Sequence, residues 1–205
     1  MSNAWVRERK NDFYYKKAKE ENLRSRASYK LFQAVTKYQF IKPGNLIVDL
    51  GAAPGGWTQA ARQLVEDTGF VYAVDIKPMQ SFEETNVQTL IGDITDPKTS
   101  QTILAAIPRP ADTVISDAAP NVSGIWDLDH ARQIDLASNS LQIATDVLRP
   151  GGSFFVKVFQ GNMLNGFAEK VNENFGFVKL LKPKASRSKS AELYILGMKY
   201  KPRKI

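Results

Sequence analysis

The chain contains no cysteine and a single histidine, His130. The first absence removes disulfides, thiolate metal sites and thiol nucleophiles, and with them the cysteine-dependent methylation of cytosine C5. The second removes any multi-histidine metal site, and His130 itself is expected on the surface of a helix. No apolar run approaches the roughly 20 residues needed to cross a bilayer, so no membrane partner is expected. The N-terminus is charged and carries no apolar signal core, so a cytoplasmic location is expected. There is no internal repeat, no Ser/Gly linker and no low-complexity stretch. At 205 residues and 43% hydrophobic, the chain is long enough for one domain with a sizeable core.

Charge is present but unevenly placed. The net charge is +7, made of +5 over residues 1–30, −6 over 31–178 and +8 over 179–205. Two basic ends therefore flank an acidic body. Trp5, Phe13, Tyr14, Tyr15 and Tyr29 are interleaved with the first basic segment. If the two ends meet on one face, they form a footprint for a phosphate backbone; if they do not, they are solvated tails. Residues 1–22 are polar and helix-prone and predict a basic helix or arm.

The most informative stretch is Ile47-Val48-Asp49-Leu50 followed by Gly51-Ala52-Ala53-Pro54-Gly55-Gly56-Trp57 and the helix-prone Thr58–Val65. An apolar run ending in an acid, a small-residue loop and a helix form the crevice that holds a cofactor in an open α/β sheet. The dinucleotide fingerprint G-x-G-x-x-G is absent, because Ala53 takes the place of its second glycine, and no G-K-[ST] ending marks a P-loop. Two further β-prone runs end in acids, at Asp75, 24 residues after Gly51, and at Asp93. Carboxylates there suit ribose hydroxyls and an adenine amine. The ligand that fits is S-adenosylmethionine, a nucleoside without a pyrophosphate.

Strands are predicted near 46–50, 71–75, 88–92, 113–117, 152–159, 177–181 and 192–199. Helices are predicted over 25–38, 58–65, 135–148 and 167–174. Their alternation predicts an α/β fold with a doubly wound, mostly parallel sheet and an antiparallel late strand. Strand four ends in Ser116-Asp117-Ala118-Ala119-Pro120-Asn121. Enzymes that methylate a base amine carry Pro-Pro and an aromatic there; Ala119 and Asn121 stand in those places and argue against that chemistry. Lys157 interrupts an apolar strand, which means either an edge strand with the amine in solvent or a functional lysine, since lysine is seldom buried unpaired.

Five ordered segments carry a resemblance. They are Arg24–Leu31, Asp49–Trp57, Ser116–Asn121, Val156–Gly161, and Ser186-Arg187 through Ser190–Tyr194. Together they resemble the FtsJ/RrmJ (RlmE) ribose 2′-O-methyltransferases over nearly the whole chain, and the opening Trp5–Lys10 is closer to archaeal and eukaryotic members than to bacterial ones. The resemblance implies a Rossmann-like methyltransferase domain over 1–205, acting as a monomer on large-subunit ribosomal RNA, with a uridine as the expected target. It implies a catalytic tetrad of Lys30, Asp117, Lys157 and Glu192, with Lys157 as base.

For the cofactor, the resemblance implies a site in the Gly51, Ala52, Pro54, Gly55, Gly56 and Trp57 loop. It puts the methionine end near Gly55 and Trp57, the ribose at Asp75, the adenine near Asp93, and Asp117 by the reacting end. RNA is expected at Arg24, Arg26, Lys182, Lys184, Arg187 and Lys189. A 2′-hydroxyl must lose its proton as it attacks, so orientation and a base share the task. A lysine serves as base only where burial or a neighbouring cation favours its neutral form. The shared motifs leave open a tRNA anticodon-loop enzyme, and a non-catalytic RNA-binding assembly factor is the alternative of another class.

Overall fold

A computed structural model describes residues 12–202. The basic start Trp5–Lys10 lies outside the described residues. Of the expected N-terminal arm, α1 (Phe13–Glu20) is seen as a helix, capped by Asp12, whose side chain accepts from the Tyr15 N–H at 3.2 Å. It is followed by α2 (Ser28–Tyr38), β1 (Leu46–Leu50), α3 (Gly56–Val65), β2 (Phe70–Asp75), β3 (Val87–Ile91) and α4 (Lys98–Ala106). Next come β4 (Ala111–Ser116), α5 (Trp126–Val147), β5 (Leu148–Phe159), α6 (Leu164–Asn174), β6 (Phe175–Leu181) and β7 (Glu192–Tyr200).

The strands form one seven-stranded sheet in the order β3-β2-β1-β4-β5-β7-β6. Pairings among β1 to β5 are parallel, and β7 runs antiparallel to both β5 and β6. Because side chains alternate along a strand, each inner strand feeds two cores. Leu46, Val48 and Leu50 of β1 and Phe154, Val156 and Val158 of β5 pack on the side of α4, α5 and α6. Ile47 and Phe155 pack with Leu31 of α2, with Ala60 and Ala61 of α3, and with Trp57, whose ring stacks on Phe155 at 5.3 Å. The result is the α/β/α sandwich expected of a doubly wound chain. The order reverses between β1 and β4, the switch point where ligands bind in such sheets.

Two elements differ from expectation. The α4 helix was not anticipated, because its buried face is Thr99, Ser100 and Ile103 and carries little apolar signal. The α5 helix begins at Trp126 rather than 135, since its polar first turns are fixed by side-chain contacts with the turn just before it: the Asp129 carboxylate accepts from the Ser123 N–H and hydroxyl, both at 2.8 Å, and from the Gly124 N–H at 3.1 Å. At its other end Leu148 belongs to β5.

The earlier start of α5 overturns the expectation for His130. It is 1% exposed, and its Nε2 accepts from the Met163 N–H at 3.1 Å. Gly161 packs against the ring so closely that a Cβ there would stand 2.6 Å from it. The turn after β5 thus lands on α5, and the histidine is a fastening of that turn rather than a surface group.

Candidate active site

Strand geometry brings the tetrad together. In β5, Phe155 faces the α2 and α3 side, so Lys157, two residues on, projects to the same side. Lys157 is paired in register with Tyr194 of β7. Asp117 follows β4, whose last residue Ser116 pairs with Val156, so the aspartate stands beside the lysine. Lys30 enters from the first turn of α2, and Glu192 opens β7. β5 lies inside the sheet, and Lys157 is 6% exposed. The edge-strand reading of that lysine is therefore excluded.

The four side chains form one connected chain of contacts through a fifth. Lys157 Nζ donates to the Asp117 carbonyl at 2.6 Å and lies 3.2 Å from Asp117 Oδ1. The Tyr194 hydroxyl donates to Asp117 Oδ1 at 2.9 Å. Lys30 Nζ donates to that hydroxyl at 3.0 Å and pairs with Glu192 Oε1 at 2.6 Å. The Ser186 hydroxyl donates to the same Glu192 oxygen at 3.0 Å.

Burial by itself would raise the Asp117 carboxyl, but the Lys157 and Lys30 ammonium groups and the Tyr194 hydroxyl hold it below the usual carboxylate value. Burial, with the charges of Asp117 and Glu192, drives the Tyr194 phenol well above its ordinary value, so it remains a hydrogen-bond donor. Tyr194 stands within the last recognised segment, but the sequence carried no sign of its role. Gln133 was also missed: its Nε2 donates to the carbonyls of Lys157 at 3.0 Å and Ala118 at 3.2 Å, tying the ends of β4 and β5 together.

Asp117 also lines a cleft of about 760 Å³ at the C-terminal ends of the parallel strands. Gly51, Ala53, Asp75, Gly92 and Asp93 line it too. Asp75 accepts from the Ala53 N–H at 2.9 Å and the Lys77 N–H at 2.8 Å, which fixes its carboxylate at the floor. Asp93 accepts from the N–H and hydroxyl of Thr95, both at 2.8 Å. Gly51 allows the loop after β4 to close on the loop after β1, since a Cβ at its φ of +69° would stand 2.5 Å from Ala118 Cβ. Carboxylates at successive strand ends fit a ligand rich in hydroxyls and amines.

Ala52, Pro54, Gly55, Gly56 and Trp57 are not among the lining residues. A Cβ on Gly55 would meet the Phe82 ring at 2.7 Å, and one on Gly56 would meet Ser25 Cβ at 2.5 Å. Those two glycines admit neighbouring chain segments. The Trp57 indole is 2% exposed and donates to the Ala27 carbonyl at 2.8 Å, so its side chain faces the core. What it can offer a ligand is its N–H in the first turn of α3, where helices leave such groups unpaired. Beneath this loop Asp49 is fully buried and accepts from the Thr58 hydroxyl at 2.7 Å. Burial raises its carboxyl to about 8, against the Thr58 hydrogen bond, with the nearby Asp117 and Asp75 charges adding to the rise.

The described parts of the two basic segments meet. Arg26 pairs with Asp12 and donates to the Ala185 carbonyl, and Arg187 Nε stands 3.9 Å from Asp12. The Ala185 N–H donates to Gln33 of α2 at 3.0 Å. Lys184 and Lys189 are exposed. Lys182 donates to the Ser188 and Ser190 carbonyls at 3.2 and 2.9 Å, which shapes the loop before β7. Arg24 is engaged elsewhere: its guanidinium lies 3.6 Å over the Phe82 ring and donates to the Gln80 and Ser81 carbonyls at 2.7 and 2.6 Å. It clamps the loop after β2 over the loop after β1, so in this structure its guanidinium is engaged by the chain itself.

Comparison with known proteins gives the family. A ribosomal RNA large subunit methyltransferase E from Methanocaldococcus jannaschii is 48% identical over 203 residues, covering 98% of this chain and 83% of that protein. The enzyme of the same name from Methanothermobacter thermautotrophicus is 47% identical, covering 98% of this chain and 95% of its own. A crystal structure described as a ribosomal RNA methyltransferase of Plasmodium falciparum superposes with a TM-score of 0.79 at 26% identity, over 88% of this chain and all of that one. The profile of the FtsJ-like methyltransferases matches residues 23–200, and the chain belongs to that family.

Proposed function

We propose that the protein transfers a methyl group from S-adenosylmethionine to a ribose 2′-oxygen in large-subunit ribosomal RNA. The observation that carries this is the Lys157–Asp117–Tyr194–Lys30–Glu192 network, which shares Asp117 with the cleft. In this reading Asp75 and Asp93 hold the nucleoside end of the donor, and the loop that runs from Gly51 through Ala52, Pro54, Gly55 and Gly56 to the Trp57 N–H holds the rest. The donor supplies an electrophilic methyl on a sulfonium.

The chain supplies alignment and proton transfer. The 2′-oxygen forms its bond to the methyl carbon as the carbon–sulfur bond breaks and its electron pair stays on sulfur. The hydroxyl proton passes to Lys157 Nζ, whose own ammonium proton has first been released to solvent. Asp117 holds that amine by carbonyl and carboxylate. Lys30, fixed between Tyr194 and Glu192, presents positive charge to the oxygen as it becomes negative. Using the 2′-hydroxyl makes the substrate RNA rather than DNA. The names of the archaeal relatives support the ribosomal substrate.

The test is methyl transfer from labelled S-adenosylmethionine to large-subunit RNA, to large subunits and to tRNA, each from cells lacking the protein. Label in large-subunit RNA, mapped to a ribose, is the expected result. Lys157→Ala should lower it by roughly 10²–10⁴-fold, the usual worth of a general base, with donor binding retained. Label in tRNA alone would move the substrate to the anticodon loop, and loss of donor binding in the variant would remove the base role from Lys157.

A further inference from the structure

The tetrad engages the substrate only at one ribose, and a second hollow on the same side of the molecule has no part in it. It lies between the C-terminal half of α2 and the edge strand β6, with a volume of about 570 Å³. Among the described residues, Lys37, Lys179, Lys182 and Lys184 line it and no acidic residue does. Phe32, Tyr38 and Leu181 give it apolar walls. Four cations around an apolar trough, with no carboxylate among the described lining residues, suit a polyanion that also carries flat apolar groups.

The hollow is linked to the reaction site through shared and bonded residues. Lys184 lines it and also lines a smaller hollow with Arg26, Ser186 and Arg187. Ser186 donates to Glu192, and Glu192 pairs with Lys30. In that smaller hollow the one acid, Asp12, is occupied by Arg26. Lys30 and Lys37 both stand on α2, seven residues apart, so they lie on one stripe about 10 Å apart along the axis.

Resting on the reading above, the geometry points to a second RNA subsite: the α2–β6 groove holds a single-stranded stretch flanking the methylated nucleotide. Its phosphates lie on Lys37, Lys179 and Lys184, and a base lies against Phe32 and Tyr38. Single strands suit such a site because unstacked bases offer their faces to aromatic rings. An acidic protein segment would satisfy the lysines but would not need a link to the tetrad.

The test is a Lys37→Ala/Lys179→Ala double variant, neither residue belonging to the tetrad or the cleft. RNA affinity is measured from low to moderate salt on two substrates. One ends beside the target nucleotide; the other carries a single-stranded extension, used free or annealed to its complement. The proposal expects the free extension to tighten binding to the wild type and annealing to abolish the gain. It expects the variant to lose the gain, with its log–log salt slope on the extended RNA flatter by about 1.4, since each phosphate contact is worth roughly 0.7 on a single strand. Turnover at saturating RNA should be unchanged.

An unchanged affinity and slope in the variant would overturn the groove while leaving the methylation reading intact. So would a variant that loses affinity for polyglutamate but not for RNA. Failure of wild-type methyl transfer on every RNA would instead count against the methylation reading, and the salt slopes would still decide the groove.

Discussion

At the residue scale, the connecting atom of the site is the Tyr194 hydroxyl, which receives from Lys30 and gives to Asp117. Tyr194→Phe keeps the ring against Phe155 and Trp57 but cuts this link. It should cost about 1 kcal/mol of stability. Single-turnover methyl transfer should fall about tenfold, equivalent to roughly 1.4 kcal/mol of barrier, with donor affinity retained. An unchanged rate would reduce Tyr194 to a packing residue.

Asp49 gives a pH signature. Its folded-state value of about 8 lies above the ordinary carboxyl value, so the unfolded chain releases this proton first. Its contribution to stability is fully present below the unfolded value, is lost progressively as pH rises, and is gone above about 8. Asp49→Asn, neutral throughout, should raise the thermal midpoint at pH 8 more than at pH 5. Equal shifts at both would mean that the carboxyl is already ionised in the fold. The acid was readable from the sequence as a strand end, but its protonation was not, because that depends on what α3 places over it.

At the element scale, the loop after β1 is held from outside by the segment before α2. The space that a side chain would need at Gly55 and Gly56 is taken by Phe82 and Ser25. Arg24 completes that clamp by bridging the Gln80 and Ser81 carbonyls above the Phe82 ring. Arg24→Ala should therefore act on the cleft first. We expect a loss of about 1 kcal/mol, comparable to one exposed cation–π contact with its hydrogen bonds. A donor titration should show weaker binding, whereas the salt slope of RNA binding should stay close to that of the wild type. A slope flattened with donor affinity intact would return Arg24 to the RNA face. Small residues after a strand signal close approach; they do not say whether the neighbour is a ligand or the chain itself.

At the scale of the whole molecule, the described parts of the basic segments converge where α1, α2 and the loop before β7 pack together around Ala18, Tyr29 and Ala185. Lys184 stands exposed between two hollows of this face. Lys184→Ala should weaken binding of RNA of any sequence and flatten the salt slope by roughly 0.7–0.9, without changing donor affinity. An unchanged slope would return the loop to a solvated tail.

The sequence by itself determined the order of the seven strands and of every helix but α4, the late antiparallel strand and the crevice after β1, because hydrophobic period and turn residues are local signals. It also carried all four tetrad residues through ordered motifs. Only the tertiary structure decided that Tyr194 joins them, since that follows from the β5–β7 register. It alone buried His130 under Gly161, turned the Trp57 indole into the core and drew Arg24 onto Phe82. Each of these depends on which distant segment lands on a residue, and that partner is written nowhere near the residue in the chain.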